Sequence, residues 1–454
     1  MHVEVIATES LGDRSYVVHD GEVALVVDPQ RDLDRVHAIV AEQGVRIGAV
    51  AETHIHNDYV TGGHALAAES DAYYLVNAED PVTFHRHAIA DGEEIPVGTL
   101  RVRALATPGH TVTHLSFVVD DTAAPDEPAA VFTGGSLLFG SVGRTDLVDA
   151  ARTTEMTHHQ YRSAHRLADA LPDETRVYPT HGFGSFCSSG GATGADSSTI
   201  GAERRANDAL LATDEDRFVE TLIANLTAYP RYYAHMGPRN LAGPDAADLS
   251  PVAEVDRDEL RKRIADGEWV VDLRDRTAYA AEHIGGTVGI ALGAQFSTYL
   301  GWIIPWGTPV TLVGDSAEAV SEAQRQLTRI GIDRPAGSAV GAPSDLAPSG
   351  DLRRYPTATF ADIAARTGTE ADEAVLDVRR DDERARGGIP SAPHVPLQDL
   401  LTRLDDLPPG RLWVHCAAGF RASIAASLLD RAGRDIVLVD DDYAHAVELG
   451  LATG

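Results

Sequence analysis

The chain has 454 residues, 43% apolar and 24% charged, with a formal net charge of −31. That length exceeds one hydrophobic core and implies about three domains of ordinary size in a soluble globular protein. So acidic a chain has no basic face for phosphate, which excludes nucleic acid as a partner, and no apolar run approaches the ~20 residues that span a bilayer.

Met1-His2-Val3-Glu4 has neither the basic nor the apolar region of a secretory signal, so a cytoplasmic location is expected. From Val3 the pattern predicts strands, with Arg14–Val18 and Val23–Val27 forming a hairpin around Asp20-Gly21, then a helix from Leu33 to Gln43. The apolar run Ile47–Ala51 predicts a buried strand, and Thr53-His54-Ile55-His56-Asn57-Asp58-Tyr59 leaves its carboxyl end ahead of a helix from about His64 to Ser70. Two histidines two apart, with an aspartate two further on, form a compact set of metal-binding groups. Leu100–Ala106 predicts a strand leading into Thr107-Pro108-Gly109-His110. Two more strands are expected at His114–Val119 and Val131–Thr133, the latter ending in Gly134-Gly135. A helix is expected from Thr153 to Leu171, then a strand at Arg176–Pro179 that delivers His181 and a Gly/Ser-rich loop.

Near Gly243-Pro244 the pattern restarts, and the rest of the chain contains a repeat. Val270-Val271-Asp272-Leu273-Arg274 matches Val375-Leu376-Asp377-Val378-Arg379, and Val310–Gly314 matches Leu412–Cys416. Each copy reads as one α/β unit, with Pro343–Gly350 as linker. In the second copy a strand ends in Cys416, followed by Ala417-Ala418-Gly419-Phe420-Arg421 and a helix. Inward N–H groups and a helix N-terminus stabilise a thiolate as a nucleophile there, and the Arg421 fork suits an anionic substrate. The first copy has Gly314 where the second has Cys416, and Ala319 where it has Arg421, so it lacks both groups.

The His54-x-His56-x-Asp58 run, with the turns at His110, Gly134-Gly135 and His181 in that order, resembles the metallo-β-lactamase superfamily. The Cys416 loop resembles the rhodanese active-site loop. The two resemblances together imply an α/β chain: a metallo-β-lactamase αββα sandwich (1–243) followed by two doubly wound rhodanese-like domains. The first of these (250–342) is inactive, with Gly314 in place of cysteine, and the second (351–454) is active through Cys416. Fusion of these folds resembles the persulfide dioxygenases, whose iron ligands would fall on His54, His110 and position 135, here glycine.

The resemblance therefore implies one metal ion held among His54, His56 and His110, with Asp58 and His181 as the pocket's remaining donors. Fe(II) is the first expectation and Zn(II) the second, and Gly135 makes a metal-free domain a third. A second metal would keep only Asp58 and His181, so a dinuclear hydrolase is not expected. Arg144, in Gly143-Arg144-Thr145-Asp146, is expected near substrate, as is Gly419. Cys187, six residues after His181, is a candidate sulfur carrier or a packed side chain. The implied substrates are a small thiol persulfide or thiosulfate, in oxidation to sulfite at the metal and sulfur transfer at Cys416. The alternatives are a sulfurtransferase with a retired N-terminal domain, or a mononuclear thioester or lactone hydrolase. Homo-oligomerisation is left open.

Overall fold

A computed structural model of the chain describes residues 1–191, 193–366 and 372–453. It divides into two compact units, Met1–Asp248 with Thr328–Gly331, and Leu249–Leu327 with Ile332–Gly454.

The first unit holds two six-stranded sheets. In one, β1 (His2–Thr8), β2 (Asp13–His19), β3 (Val23–Val27), β4 (Arg46–Ala51), β5 (Tyr73–Asn77) and β6 (His87–Ile89) lie in chain order. The first three are antiparallel, and β3 to β6 run parallel. The expected hairpin joins β2 to β3, with Asp20 Oδ1 accepting the N–H groups of Glu22 and Val23. The second sheet runs β12 (Ser198–Thr199), β11 (Arg176–Pro179), β10 (Ala130–Gly134), β9 (Leu115–Asp121), β8 (Leu100–Ala106), β7 (Glu94–Val97). Of its neighbours only β10 and β11 are parallel.

Strand periodicity explains the layers. Tyr16 and Val18 of β2 point into the core between the sheets, where they meet Phe117, Val119 and Phe132, while Val17 between them joins the apolar layer on the outer face. A strand buried on both faces reads as a continuous apolar run, which is why the central strands were legible. Helices Asp34–Gln43 and Gly63–Ser70 cover one sheet, and helix Thr153–Ala170 covers the other, giving an αββα sandwich. The short strands β6, β7 and β12 have two to four residues each and carry too little pattern to be predicted. The carboxyl ends of β3, β4, β8, β10 and β11 deliver the polar loops that build the site.

The second unit contains two parallel sheets. One orders its strands Val288–Gly289, Trp269–Asp272, Val310–Gly314, Gly337–Val340, and the other Thr357–Ala358, Ile436–Val439, Arg411–His415, Glu373–Asp377. Single bridges, Glu254 to Ser338 and Asp377 to His394, complete the same five-strand order in both copies. The repeat read from the sequence is thus a repeat of topology. Among the described residues no helix is long and apolar enough to cross a membrane.

Phe132 is fully buried, with Tyr178 stacked 5.1 Å away and Tyr16 edge-on at 5.2 Å. Phe132→Ala is expected to cost about 3–5 kcal/mol, read as a lowered denaturation midpoint of the N-terminal unit.

Candidate functional site

The histidine site begins with Asp28, at the carboxyl end of β3. Its carboxylate accepts from Thr53 N and Thr53 Oγ1, each at 2.7 Å, and from Thr180 Oγ1. Thr53 has donated its hydroxyl hydrogen to Asp28, so it accepts from His54 Nδ1 at 2.9 Å. His110 Nδ1 donates to the Arg144 carbonyl at 2.8 Å, and His181 Nδ1 donates to Asp13 Oδ1 at 2.9 Å. In all three rings the proton therefore sits on Nδ1, and Nε2 presents a lone pair. His54 Nε2 and His181 Nε2 are 3.4 Å apart, and His110 Nε2 has no hydrogen-bond partner. One ring nitrogen from each of the three lies within 4.8 Å of the others. Burial lowers the pKa of all three, and the neighbouring imidazoles add to this for His54 and His110.

His56 stands apart from that set. Its Nε2 lies 3.2 Å from Asp28 Oδ1, 3.2 Å from Glu52 Oε2 and 2.9 Å from the Tyr59 hydroxyl. Burial alone would depress it, but the two carboxylates carry it up to about 10, and its Nε2 faces them. The group that includes His54 and His110 is completed by His181. Asp58 lies behind His181, with Oδ2 3.3 Å from Nδ1, and belongs with His56 and His181 to a second candidate group; Asp28, Glu52 and His56 form a third. Burial raises Asp13 and Asp58 to about 7 each, and the charge of Asp13 adds to the shift of Asp58.

Two candidate residues are packed into the structure. The guanidinium of Arg144, expected near substrate, donates to Asp146 at 2.7 and 2.8 Å and to the carbonyls of Phe186 and Thr227, and the side chain is buried. Its backbone carbonyl, however, orients His110. Cys187 is fully buried, and burial pushes its thiol well above the ordinary range, which favours the packed side chain over the sulfur carrier. His114 was read only as the start of a strand. Its Nε2 accepts the Gly135 N–H at 3.0 Å, its Nδ1 lies 2.9 Å from Thr107 Oγ1, and it stacks on His54 at 4.9 Å. A second histidine four residues after His110 was the available signal.

At Gly135, a Cβ would lie 2.3 Å from Cδ2 and 2.5 Å from Cγ of His110. The arrangement of two histidines and one carboxylate implied by the resemblance therefore does not fit this chain. Beside the loop runs a groove of about 570 Å³, walled by Ile55, Asn57, Thr111, Val112, Leu147 and Tyr233 among others and with no lysine or arginine in its lining.

In the second unit Cys416 follows strand Arg411–His415 and is only 2% exposed. Gly419 (φ 83°) begins the helix Phe420–Arg431; a Cβ there would lie 2.1 Å from Asp440 Oδ1. Arg421 donates both Nη groups to the Glu383 carboxylate, Nη2 at 2.7 Å, so its fork braces the loop. The copy without a cysteine also reaches this loop. Its Tyr299 ring packs edge-on against Phe420 at 5.6 Å, and its Arg276 binds Asp440 at 2.7 Å.

The comparisons agree with both halves. The rhodanese-like domain family matches residues 360–446. Human persulfide dioxygenase ETHE1, mitochondrial, is 28% identical over 249 residues, covering 55% of this chain and 82% of the relative. A hydroxyacylglutathione hydrolase of Prochlorococcus marinus is 27% identical over 161 residues, 35% of this chain, and this chain spans 60% of its length. For a human hydroxyacylglutathione hydrolase-like protein, 33% identical over 32% of this chain, the share of its length is 48%. A crystal structure of a metallo-beta-lactamase from Staphylococcus aureus superposes with TM-score 0.67 at 28% identity, covering 75% of this chain and 99% of that one. The chain is a metallo-β-lactamase-fold protein carrying a C-terminal rhodanese domain. Within that class it resembles the ETHE1 persulfide dioxygenases, and its histidine and aspartate groups support a metal cofactor.

Glu383→Gln would leave Arg421 with a neutral partner in a mostly buried position. It is expected to cost about 1.5–3 kcal/mol, read as a lower unfolding midpoint of the C-terminal unit.

Proposed function

We propose that the chain handles sulfane sulfur and that Cys416 is its transfer thiol. The observation that carries this reading is the placement of Cys416 between the end of a parallel strand and the N-terminus of a 12-residue helix, in the region matched by the rhodanese-like family. The first N–H groups of that helix have no intrahelical partners and favour negative charge at the loop. With thiosulfate as donor, Cys416 Sγ attacks the outer sulfur, the sulfur–sulfur bond breaks, sulfite leaves with the electron pair, and a persulfide remains on Cys416. An acceptor thiolate then takes the outer sulfur and regenerates the Cys416 thiolate. A small thiol persulfide serves as donor in the same way, with its thiolate as leaving group. Arg421, held by Glu383, and Gly419, whose φ of 83° favours a residue without Cβ, hold the shape of the loop that follows the sulfur.

A second reading concerns the N-terminal site: oxidation of a thiol persulfide by one O2 and one water to thiol, sulfite and two protons. The buried histidine cluster and the likeness to human ETHE1 favour it. The groove, lined mainly by apolar and uncharged side chains with Asp80 and with no lysine or arginine, favours a carrier thiol held without cationic contacts.

Cys416→Ser is expected to abolish sulfur transfer from thiosulfate and the gain of one sulfur atom at residue 416 in intact-protein mass spectra. Cys187→Ser is expected to leave both unchanged. Transfer that survives in Cys416→Ser would sink the proposal, and oxygen consumption on adding persulfide tests the second reading independently.

A further inference from the structure

The structure assigns the N-terminal unit a single metal site made of three histidines, His54, His110 and His181, with no carboxylate in contact with the ion. This goes beyond the transfer reaction and holds whether or not Cys416 carries sulfur.

Four observations converge on it. First, each of the three rings spends its Nδ1 hydrogen on an oxygen acceptor, namely Thr53 Oγ1, the Arg144 carbonyl and the Asp13 carboxylate. That fixes the tautomer and turns every Nε2 lone pair inward, as outer partners do for metal-bound histidine. Second, lone pairs gathered without a hydrogen between them repel unless a cation lies among them. His110 Nε2 is buried with no hydrogen-bond partner, and His54 and His181 present nitrogens to each other at 3.4 Å. Third, that separation fits a shared ion: two nitrogens each about 2.0–2.1 Å from one ion at a tetrahedral angle lie about 3.4 Å apart.

Fourth, no other donor among the described residues joins that set, although His56 Nδ1 and both Asp58 oxygens are buried without hydrogen-bond partners. His56 turns Nε2 to Asp28 and Glu52, and His114 turns Nε2 to the Gly135 N–H. Position 135 has no side chain, and the His110 ring occupies the space a Cβ there would need. The third donor is therefore His181, oriented from behind by Asp13. Three neutral imidazoles with an open fourth position suit a borderline divalent ion such as zinc or ferrous iron.

The test uses the full chain, produced with ample iron and zinc, its metal counted by mass spectrometry. The apoprotein is then titrated with cobalt(II), whose visible absorption reports a four-coordinate nitrogen site. About one ion per chain is expected, with His110→Ala and His181→Ala each weakening cobalt binding by more than about tenfold. Asp13→Asn keeps all three ligands; it is expected to weaken binding about 10–100-fold with an unchanged circular dichroism spectrum, and so guards against a folding artefact. Asp58→Asn separates the two candidate groups that share His181 and is expected to keep one ion per chain. The assignment is overturned if the wild-type chain binds no ion, or if Asp58→Asn loses the ion while His110→Ala retains it.

Discussion

A single buried carboxylate, Asp28, sets the geometry of the N-terminal unit. It lies where β3 ends and adopts φ 51°, a conformation that L side chains other than asparagine and aspartate seldom take. Burial opposes its charge, yet His56 and three hydrogen-bond donors hold its pKa below the ordinary carboxylate range. Those donors belong to Thr53, after β4 in one sheet, and to Thr180, after β11 in the other. The carboxylate thus joins the ends of both sheets, and through Thr53 Oγ1 it decides which nitrogen of His54 carries the proton. Once that hydrogen bond is drawn, the direction of His54 Nε2 follows from backbone geometry rather than from any ligand.

The second unit solves a comparable problem twice. In one copy Arg274 Nη2 meets Asp272 Oδ2 at 2.7 Å and reaches the Glu282 carbonyl; in the other Arg379 Nη2 meets Asp377 Oδ2 at 2.8 Å and reaches the Gly387 carbonyl. The same fork ties the matching strands Trp269–Asp272 and Glu373–Asp377 to the same following turn. The copy with Gly314 therefore retains the interactions that hold the fold while lacking the cysteine and arginine of the loop. Its Tyr299 and Arg276 pack around the other copy's loop, which gives the copy without a cysteine a reason to stay folded.

How far the sequence could be read follows from which interactions are local. Apolar runs at strand period placed the central strands, the metal loop and the strand–Cys416–helix unit, because each depends on neighbours within a few residues. The repeat was legible because two similar segments need no knowledge of packing. What stayed hidden was direction. His54 and His56 are two apart on one loop, yet one ring turns inward and the other toward Asp28 and Glu52, and only the position of those carboxylates separates them. Asp13, at the start of β2, meets His181 across 168 positions of sequence. Arg144 sat in a suggestive motif, but Asp146 two residues on absorbs its charge, and a one-dimensional reading cannot tell a satisfied guanidinium from an available one.

The glycine at 135 gains meaning from these hidden partners. Removing a carboxylate from a cation site leaves unbalanced positive charge, a cost that grows with burial. Here a carboxyl group lies one imidazole further out, on Asp13 behind His181. Seen through a ring, such a group would polarise the nitrogen donor rather than bond to an ion, and an ion held there would keep more of its own charge and be a stronger electrophile. His114 takes the Gly135 N–H that would otherwise be orphaned in a closed pocket. Gly135, His114 and Asp13 therefore read together as one arrangement that leaves a neutral donor where the resemblance implies an anionic one.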